Sequence, residues 1–179
     1  GKLSMTLPRV IGQIPLYYNQ TTSCRQNEGY YSDEPIRNYR DTLGSPLYPF
    51  GYGLSYTTFE YSDLKAEEDK ISIDDILSGK SFRISVRVKN TGDREGKETS
   101  QCYIHDCVAQ ITRPIRELKG FVKENYKPGE EKTVTFELSE KELGYWNTEK
   151  KYVVEPGKFK IFVGGDCLTK DEITVEITK

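Results

Sequence analysis

This sequence has very little histidine, no closely spaced pair of cysteines and no long apolar run. It contains one histidine, His105, and four cysteines, of which no two are spaced as Cys-x-x-Cys. Structural zinc sites take four ligands from Cys and His, mostly in such close pairs, so we predict no metal site. The sequence also lacks a Gly-Lys-Ser/Thr phosphate loop and a Gly-x-Ser-x-Gly nucleophile turn. We therefore predict no cofactor and no serine-hydrolase chemistry.

A block of charge of one sign is missing as well. The formal net charge is −2, and the lysines and arginines are interspersed with the acids. Nucleic acids and anionic membranes attract a basic patch or stripe, so we expect neither as a partner. No run of about 18 apolar residues is present that could span a bilayer. The spacing of the four cysteines does not decide whether any of them pair. We favour free thiols, which slightly favours a cytoplasmic location over a secreted one and otherwise leaves the location unknown.

Two prolines, two glycines and several aromatic residues are concentrated in residues 45–57. Proline removes backbone donors and glycine gives up side-chain contacts, so we expect neither a helix nor a strand here. We predict a rigid, irregular connector that is held in place by burial of its rings. The residues assigned to this structural connector are Pro46, Tyr48, Pro49, Phe50, Gly51, Gly53 and Tyr56.

Residues 58–179 follow the periodicity of β-strands. Between Phe82 and Val88, for example, every second residue is apolar, which is typical of a half-buried strand. About seven such segments, separated by turn sequences, predict an all-β fold with two antiparallel sheets, an immunoglobulin-like β-sandwich. We expect Cys102 to point inward, Tyr103 to point outward, and Trp146 to plug one end of the sandwich.

Residues 1–44 show no such regularity. Leu3 to Leu7 and Ile14 to Tyr18 predict two short strands, and the remainder is mostly irregular. Two isolated short strands are marginally stable in water, so we expect this segment normally to pack on a larger neighbour. Alone, it is expected either to lie over the β-sandwich or to be partly mobile.

Five stretches of the chain resemble glycoside hydrolase family 3. They are GKLSMTLPR (1–9), GQIPLYYN (12–19), PLYPFGYGLSYTTF (46–59), TRPIRELKGF (112–121) and VEPGKFKIFVGG (154–165), in the order found in the family. The resemblance implies that residues 1–44 end an α/β-sandwich domain, that 45–57 are the connector, and that 58–179 form a fibronectin type III-like domain. The parent protein would be a retaining, β-glucosidase-like hydrolase of terminal β-linked sugars.

The same resemblance implies that the catalytic carboxylates lie outside this chain. The nucleophile of the family is an aspartate in a Ser-Asp-aromatic context on a barrel domain, and Asp33 and Asp63 share only the Ser-Asp dipeptide. We therefore assign no catalytic residue, and we predict Arg25, Tyr30 and Tyr31 as candidates for the rim of the substrate site. The expected partners are the catalytic barrel and the α/β-sandwich domain of the parent enzyme, with carbohydrate as a further candidate.

A carbohydrate-binding or protein-interaction module is the alternative interpretation. An outward-facing Tyr103, with other tyrosines, could stack on sugar rings if a contiguous row of rings were exposed on one sheet face. The acidic pairs near turns, such as Asp74 with Asp75, are expected to be a solvated surface rather than a catalytic pair.

Overall fold

The computed structural model describes residues 1–21, 31 and 42–179. The strands are β1 (Phe59–Ala66), β2 (Lys70–Ser72), β3 (Phe82–Asn90), β4 (Gly96–Asp106), β5 (Glu117–Tyr126), β6 (Glu131–Leu138), β7 (Tyr145–Trp146), β8 (Tyr152–Val153), β9 (Gly157–Gly164) and β10 (Glu172–Thr178). The helices are a 3-10 turn (Ile11–Gln13), α1 (Ile73–Leu77) and α2 (Glu140–Leu143). The all-β prediction is confirmed, and the alternating segment from Phe82 to Val88 is a strand.

One sheet has three antiparallel strands in the order β1-β3-β6. Strand β3 buries every second side chain, as its sequence predicts. Its buried residues face those of β6 in register, for example Ile84 opposite Phe136 and Phe82 opposite Leu138. The alternation of the sequence thus becomes one wall of the core, because successive side chains of a strand point to opposite faces.

The second sheet has five strands in the order β2-β10-β9-β4-β5. Its pairings are antiparallel except at one edge, where β2 runs parallel to β10 with Lys70 opposite Glu176. This pairing differs from the expectation of antiparallel sheets throughout. Strand β2 follows β1 of the other sheet rather than a hairpin partner, so its direction was free to be parallel.

The core lies between the two sheets and includes the inner residues of β4 and β9. Cys102 is fully buried there, as predicted, and burial raises the pKa of its thiol to about 12. Ile161 and Val163 of β9 are fully buried in the same core. Cys102 therefore acts as a small apolar residue.

The prediction for Trp146 was wrong. Its side chain is 65% exposed and contacts Tyr152 across the β7-β8 hairpin, with 5.6 Å between ring centroids. The preceding residue, Tyr145, is buried instead, since neighbouring residues of a strand face opposite sides. The helical turn before the hairpin, α2, begins with a capping box formed by Ser139 and Glu142.

The first segment lacks the two short strands that its sequence predicts. Residues 1–21 contain only a 3-10 turn and isolated bridges, of which one joins Leu7 to Tyr48 of the connector. Leu3 N donates to Tyr52 O at 2.8 Å, and Gly51 N donates to Leu3 O at 2.8 Å. Because these backbone groups pair with the irregular connector, no regular ladder can extend from them.

Candidate functional site

The outer face of the five-stranded sheet is covered by the first segment and the connector. Tyr103 and Phe162 point out of the sandwich, yet both are buried. With Cys167 they form a second apolar cluster, named here the outer cluster. The half-buried residues packed on it are Leu16, Tyr18, Tyr31, Phe50, Leu118 and Leu168.

Tyr103 is therefore not a platform for sugar rings. Its side chain has no exposed surface, and the ring of Tyr18 packs edge-on against it at 6.0 Å between centroids. Tyr18 in turn stacks on Phe50 of the connector at 4.1 Å. The outward direction of Tyr103 was predicted correctly from the alternation of its strand, but residues distant in sequence cover it.

A buried polar network joins the connector to the sheet. Tyr103 donates its hydroxyl proton to Gln101 Oε1 at 2.5 Å. Gln101 Nε2 donates to the carbonyl oxygens of Gly51 (3.1 Å) and Gly165 (2.5 Å). One buried glutamine thus ties the connector to β4 and to the end of β9, and each of these bonds would be costly to leave unmade.

A second anchor lies at the side of the outer cluster. The guanidinium of Arg116 lies 3.8 Å from the ring centroid of Phe162 and 5.3 Å from that of Tyr31. It also donates to Thr169 O at 2.7 Å. Burial lowers the pKa of this guanidinium, and the aromatic faces offset part of the cost of desolvating the charge.

The first segment is also attached at its beginning. Lys2 Nζ lies 3.0 Å from Glu98 Oε1, and the hydroxyl of Tyr61 donates to the same oxygen at 2.9 Å. Glu98 is buried, so this ion pair is shielded from solvent more than an ordinary surface pair. Burial is the main cause that raises the pKa of Tyr61.

The other side of this layer is apolar and exposed. Among the described residues, ten of the fifteen large apolar side chains that are exposed lie within residues 1–21 and 42–57. We call these ten residues the connector surface: Met5, Val10, Ile11, Ile14, Tyr17, Leu43, Leu47, Tyr48, Leu54 and Tyr56. A groove of about 430 Å³ runs through it between the first segment and the connector, lined by Gly1, Leu3, Leu7, Tyr48, Tyr52, Gly53 and Leu54.

The connector residues do not share one environment. The segment is irregular, as predicted, and Pro46, Pro49 and Gly51 are buried. Phe50 and Gly53 are half-buried, and Tyr48 is exposed and stacks on Tyr52 at 4.9 Å. Tyr56 is 91% exposed, so the expectation that ring burial anchors the whole connector does not hold there.

Of the three rim candidates, Arg25 and Tyr30 lie outside the described residues. Tyr31 is half-buried, donates its hydroxyl proton to Tyr18 O, and packs on the outer cluster. Asp33 also lies outside the described residues, whereas Asp63 is an exposed partner of Arg87.

The acids near turns are mostly solvated, as expected, whereas His105 and Asp106, at the end of β4, do not form an exposed pair. Asp106 is buried, and His105 Nδ1 lies 2.8 Å from Pro114 O. Within residues 1–21, 31 and 42–179, no group of three or more His, Cys, Asp or Glu is placed to hold a metal ion. In the same part of the chain no helix is both long and apolar enough to cross a bilayer.

Comparison with known proteins shows which families this chain resembles. Residues 98–167 match the fibronectin type III-like domain family. The periplasmic β-glucosidase of Salmonella typhimurium is 43% identical over 166 residues, which are 93% of this chain and 21% of that protein. The chain is homologous to part of the family 3 glycoside hydrolases.

Two further relatives show the same partial coverage by this chain. The β-xylosidase of Formosa agariphila is 39% identical over 178 residues, covering 99% of this chain and 23% of that protein. The β-glucosidase from Listeria innocua, solved in complex with glucose, superposes with a TM-score of 0.84 at 40% identity, covering 100% of this chain and 24% of that one. The chain thus spans less than a quarter of the length of these relatives.

The sequence analysis did not identify Phe162, Arg116 and Tyr18 as parts of one site. A signal for Phe162 was present, because Ile161, Phe162 and Val163 form a continuous apolar run, which is typical of a strand covered on both faces. Arg116 offered no local signal, since a cation beside apolar residues is ordinarily a solvated side chain.

Proposed function

We propose that this chain is a non-catalytic, structural segment of a family 3, β-glucosidase-like hydrolase, and that it stabilises the catalytic domains through the connector surface. The observation that carries the proposal is the concentration of exposed apolar side chains in that layer. Apolar patches of this kind mark protein interfaces, and more than three-quarters of the length of these relatives lies outside the matched region and is available to cover such a patch.

We further propose the division into residues 1–44 as the end of an α/β-sandwich domain, 45–57 as the connector, and 58–179 as the fibronectin type III-like domain. Two observations support it. Apart from the two bonds of its 3-10 turn, the first segment makes its described backbone bonds with the connector and with Ile115, next to Pro114. The regular strands begin only at Phe59.

The parent reaction would be retaining hydrolysis of a terminal β-linked sugar. That chemistry needs two carboxyl groups about 5 Å apart on either side of the scissile bond. The relatives named above are two β-glucosidases and a β-xylosidase, so the identity of the sugar depends on the whole enzyme. We propose that both carboxylates lie on the barrel and α/β-sandwich domains, and Arg25, Tyr30 and Tyr31 remain our candidates for the rim.

The alternative, a carbohydrate-binding module, has lost its main support. Tyr103 is buried, and the rings exposed on the sandwich do not form a row on one sheet face. Phe121 lies on β5, whereas Trp146 and Tyr152 lie on the separate β7-β8 hairpin.

Hydrolysis of an aryl β-glucoside and an aryl β-xyloside by the purified chain tests the proposal. We expect no turnover above the buffer rate, because the chain holds no catalytic pair, while a full-length family 3 enzyme assayed alongside is active. The matched variants are Asp33→Ala and Asp63→Ala. Turnover by the chain that either substitution abolishes would overturn the assignment.

A further inference from the structure

A groove on the outer face of the five-stranded sheet runs between the first segment and the edge strand β5. Its larger part has a volume of about 240 Å³, and its apolar walls are formed by Leu3, Phe50, Leu118 and Phe121. A smaller part of about 110 Å³ adjoins it, because Lys2 and Thr99 line both parts. We call the two parts together the β5 groove.

Phe121 is exposed, whereas its neighbour across the ladder is covered. It lies opposite Gln101, on the same face of the sheet. Gln101 is 3% exposed beneath the connector, and Phe121 is 68% exposed. The connector thus covers β4 and stops short of β5. Proteins ordinarily cover or charge the edge strands of their sheets, so an exposed ring in the wall of an apolar groove indicates a missing partner.

The smaller part of the β5 groove carries unbalanced positive charge. Lys97 and Lys123 line it, both are exposed, and neither forms an ion pair with a described residue. Glu98 also lines this part, but its carboxylate is already in contact with Lys2 and Tyr61. The two free ammonium groups therefore favour a partner that brings negative charge.

The chemistry of the β5 groove selects its occupant. Lys123 lies two residues from Phe121 on the same face of β5, roughly 7 Å away along the strand. A matching surface therefore places an apolar side chain on the Phe121 ring and a carboxylate beside Lys123. A second copy of this chain fits poorly, because a symmetric contact at this edge would bring the lysines of the two copies together.

The β5 groove is continuous with the connector surface. Leu3 lines both its larger part and the groove of the connector surface, and Gly1 lines both its smaller part and that same groove. Under the domain division proposed above, the remainder of the α/β-sandwich domain is joined to this chain at Gly1. That domain is therefore the part of the parent enzyme closest to the β5 groove.

We propose that the β5 groove is a docking site for the α/β-sandwich domain of the parent enzyme, which packs an apolar side chain against Phe121 and places a carboxylate beside Lys97 and Lys123. The identity of the partner rests on the proposed function. The contact itself is additional, because Phe121 and both lysines lie on strands of the β-sandwich and outside the connector surface.

Hydroxyl-radical footprinting of the isolated chain and of the full-length hydrolase that contains it tests the contact. In the isolated chain, Phe121 and Trp146 should both be oxidised, since they are 68% and 65% exposed. In the full-length enzyme, oxidation of Phe121 should be lost, down to the level of the buried Phe82, whereas that of Trp146 should be unchanged. Equal oxidation of Phe121 in the two proteins would overturn the proposal.

The same experiment separates this proposal from the proposed function. Met5 and Tyr56 report on the connector surface, where they are 60% and 91% exposed. Protection of these two residues without protection of Phe121 would overturn the docking site and leave the proposed function intact. Protection of Phe121 without protection of the other two would support the docking site and contradict the role of the connector surface.

Charge substitutions test the expected carboxylate. Lys123→Gln and Lys123→Glu are introduced into both proteins, with Lys65→Glu as the control, because Lys65 is exposed on β1 of the other sheet. In the full-length enzyme, Lys123→Glu should lower the thermal unfolding midpoint more than Lys123→Gln, since it brings like charges together. In the isolated chain these two variants should have equal midpoints, and Lys65→Glu should act alike in both proteins. Equal midpoints for the two Lys123 variants in the full-length enzyme would contradict the proposed charge pairing.

Discussion

At the scale of single residues, Gly51 and Gln101 show how tightly the connector lies on the sheet. Gly51 has a φ of +81°, a conformation that residues with a side chain rarely adopt. A Cβ on Gly51 would come within 2.2 Å of Gln101 Oε1. That oxygen cannot simply move away, because it accepts from Tyr103 and its amide group bonds two carbonyls.

We therefore expect Gly51→Ala to destabilise the chain by about 2–4 kcal/mol, through backbone strain plus disruption of a buried hydrogen-bond network. Gly79→Ala is the matched control, since Gly79 has a φ of +92° and open space around its Cβ position. Its cost should be only about 1–2 kcal/mol, from strain alone. Urea unfolding measures both, and equal free energies of unfolding would show that the contact with Gln101 contributes nothing.

At the scale of elements, the first segment is not a strand, yet alternate side chains of residues 18 and 17 point toward and away from the five-stranded sheet. Tyr18 stacks on Phe50, and its hydroxyl oxygen accepts from Leu118 N of β5 at 3.3 Å. Burial raises the pKa of Tyr18. The neighbouring Tyr17 points away and is exposed. One ring of this pair therefore attaches the segment, and the other belongs to the connector surface.

Tyr18→Ala should loosen the segment and lower the free energy of unfolding by about 2–3 kcal/mol, somewhat less than a fully buried aromatic residue would cost. It should also speed proteolytic cleavage and hydrogen exchange within residues 14–21. Tyr17→Ala, in the same segment, should change stability by less than about 0.5 kcal/mol. Similar protection of residues 14–21 in both variants would mean that other contacts hold the segment.

At the scale of the whole molecule, the inner core of the sandwich is buried, whereas the layer that covers its outer face exposes many apolar side chains. The first segment and the connector cover Tyr103 and Phe162, but they expose their own apolar residues in turn. Ile11 and Leu54 are 86% and 83% exposed. An apolar surface of this kind favours association when nothing else covers it.

The isolated chain should therefore self-associate with increasing concentration, and the double variant Ile11→Lys, Leu54→Lys should remain monomeric in sedimentation-velocity experiments. Leu77→Lys is the control, because Leu77 is also exposed but lies on α1, outside the connector surface. A monomeric wild-type chain, or an equal effect of the control substitution, would argue against the connector surface as an interface.

The sequence by itself determined the seven longer strands of residues 58–179 and their inward faces. Alternation in segments such as Phe82 to Val88 is a local property, and burial of every second residue follows from the pleat wherever the strand lies. The capping box at Ser139 and the irregular connector were equally local, since caps and proline effects act within a few residues.

Tertiary structure alone decided what covers each outward face. Tyr103 and Trp146 both point outward by alternation, yet one is buried beneath Tyr18 and the other is exposed. The same holds for the parallel pairing of β2 and for the enclosure of Asp106. The reason is physical: an outward position in a strand is set by its neighbours in sequence, whereas its burial depends on segments that the fold brings to it from far along the chain.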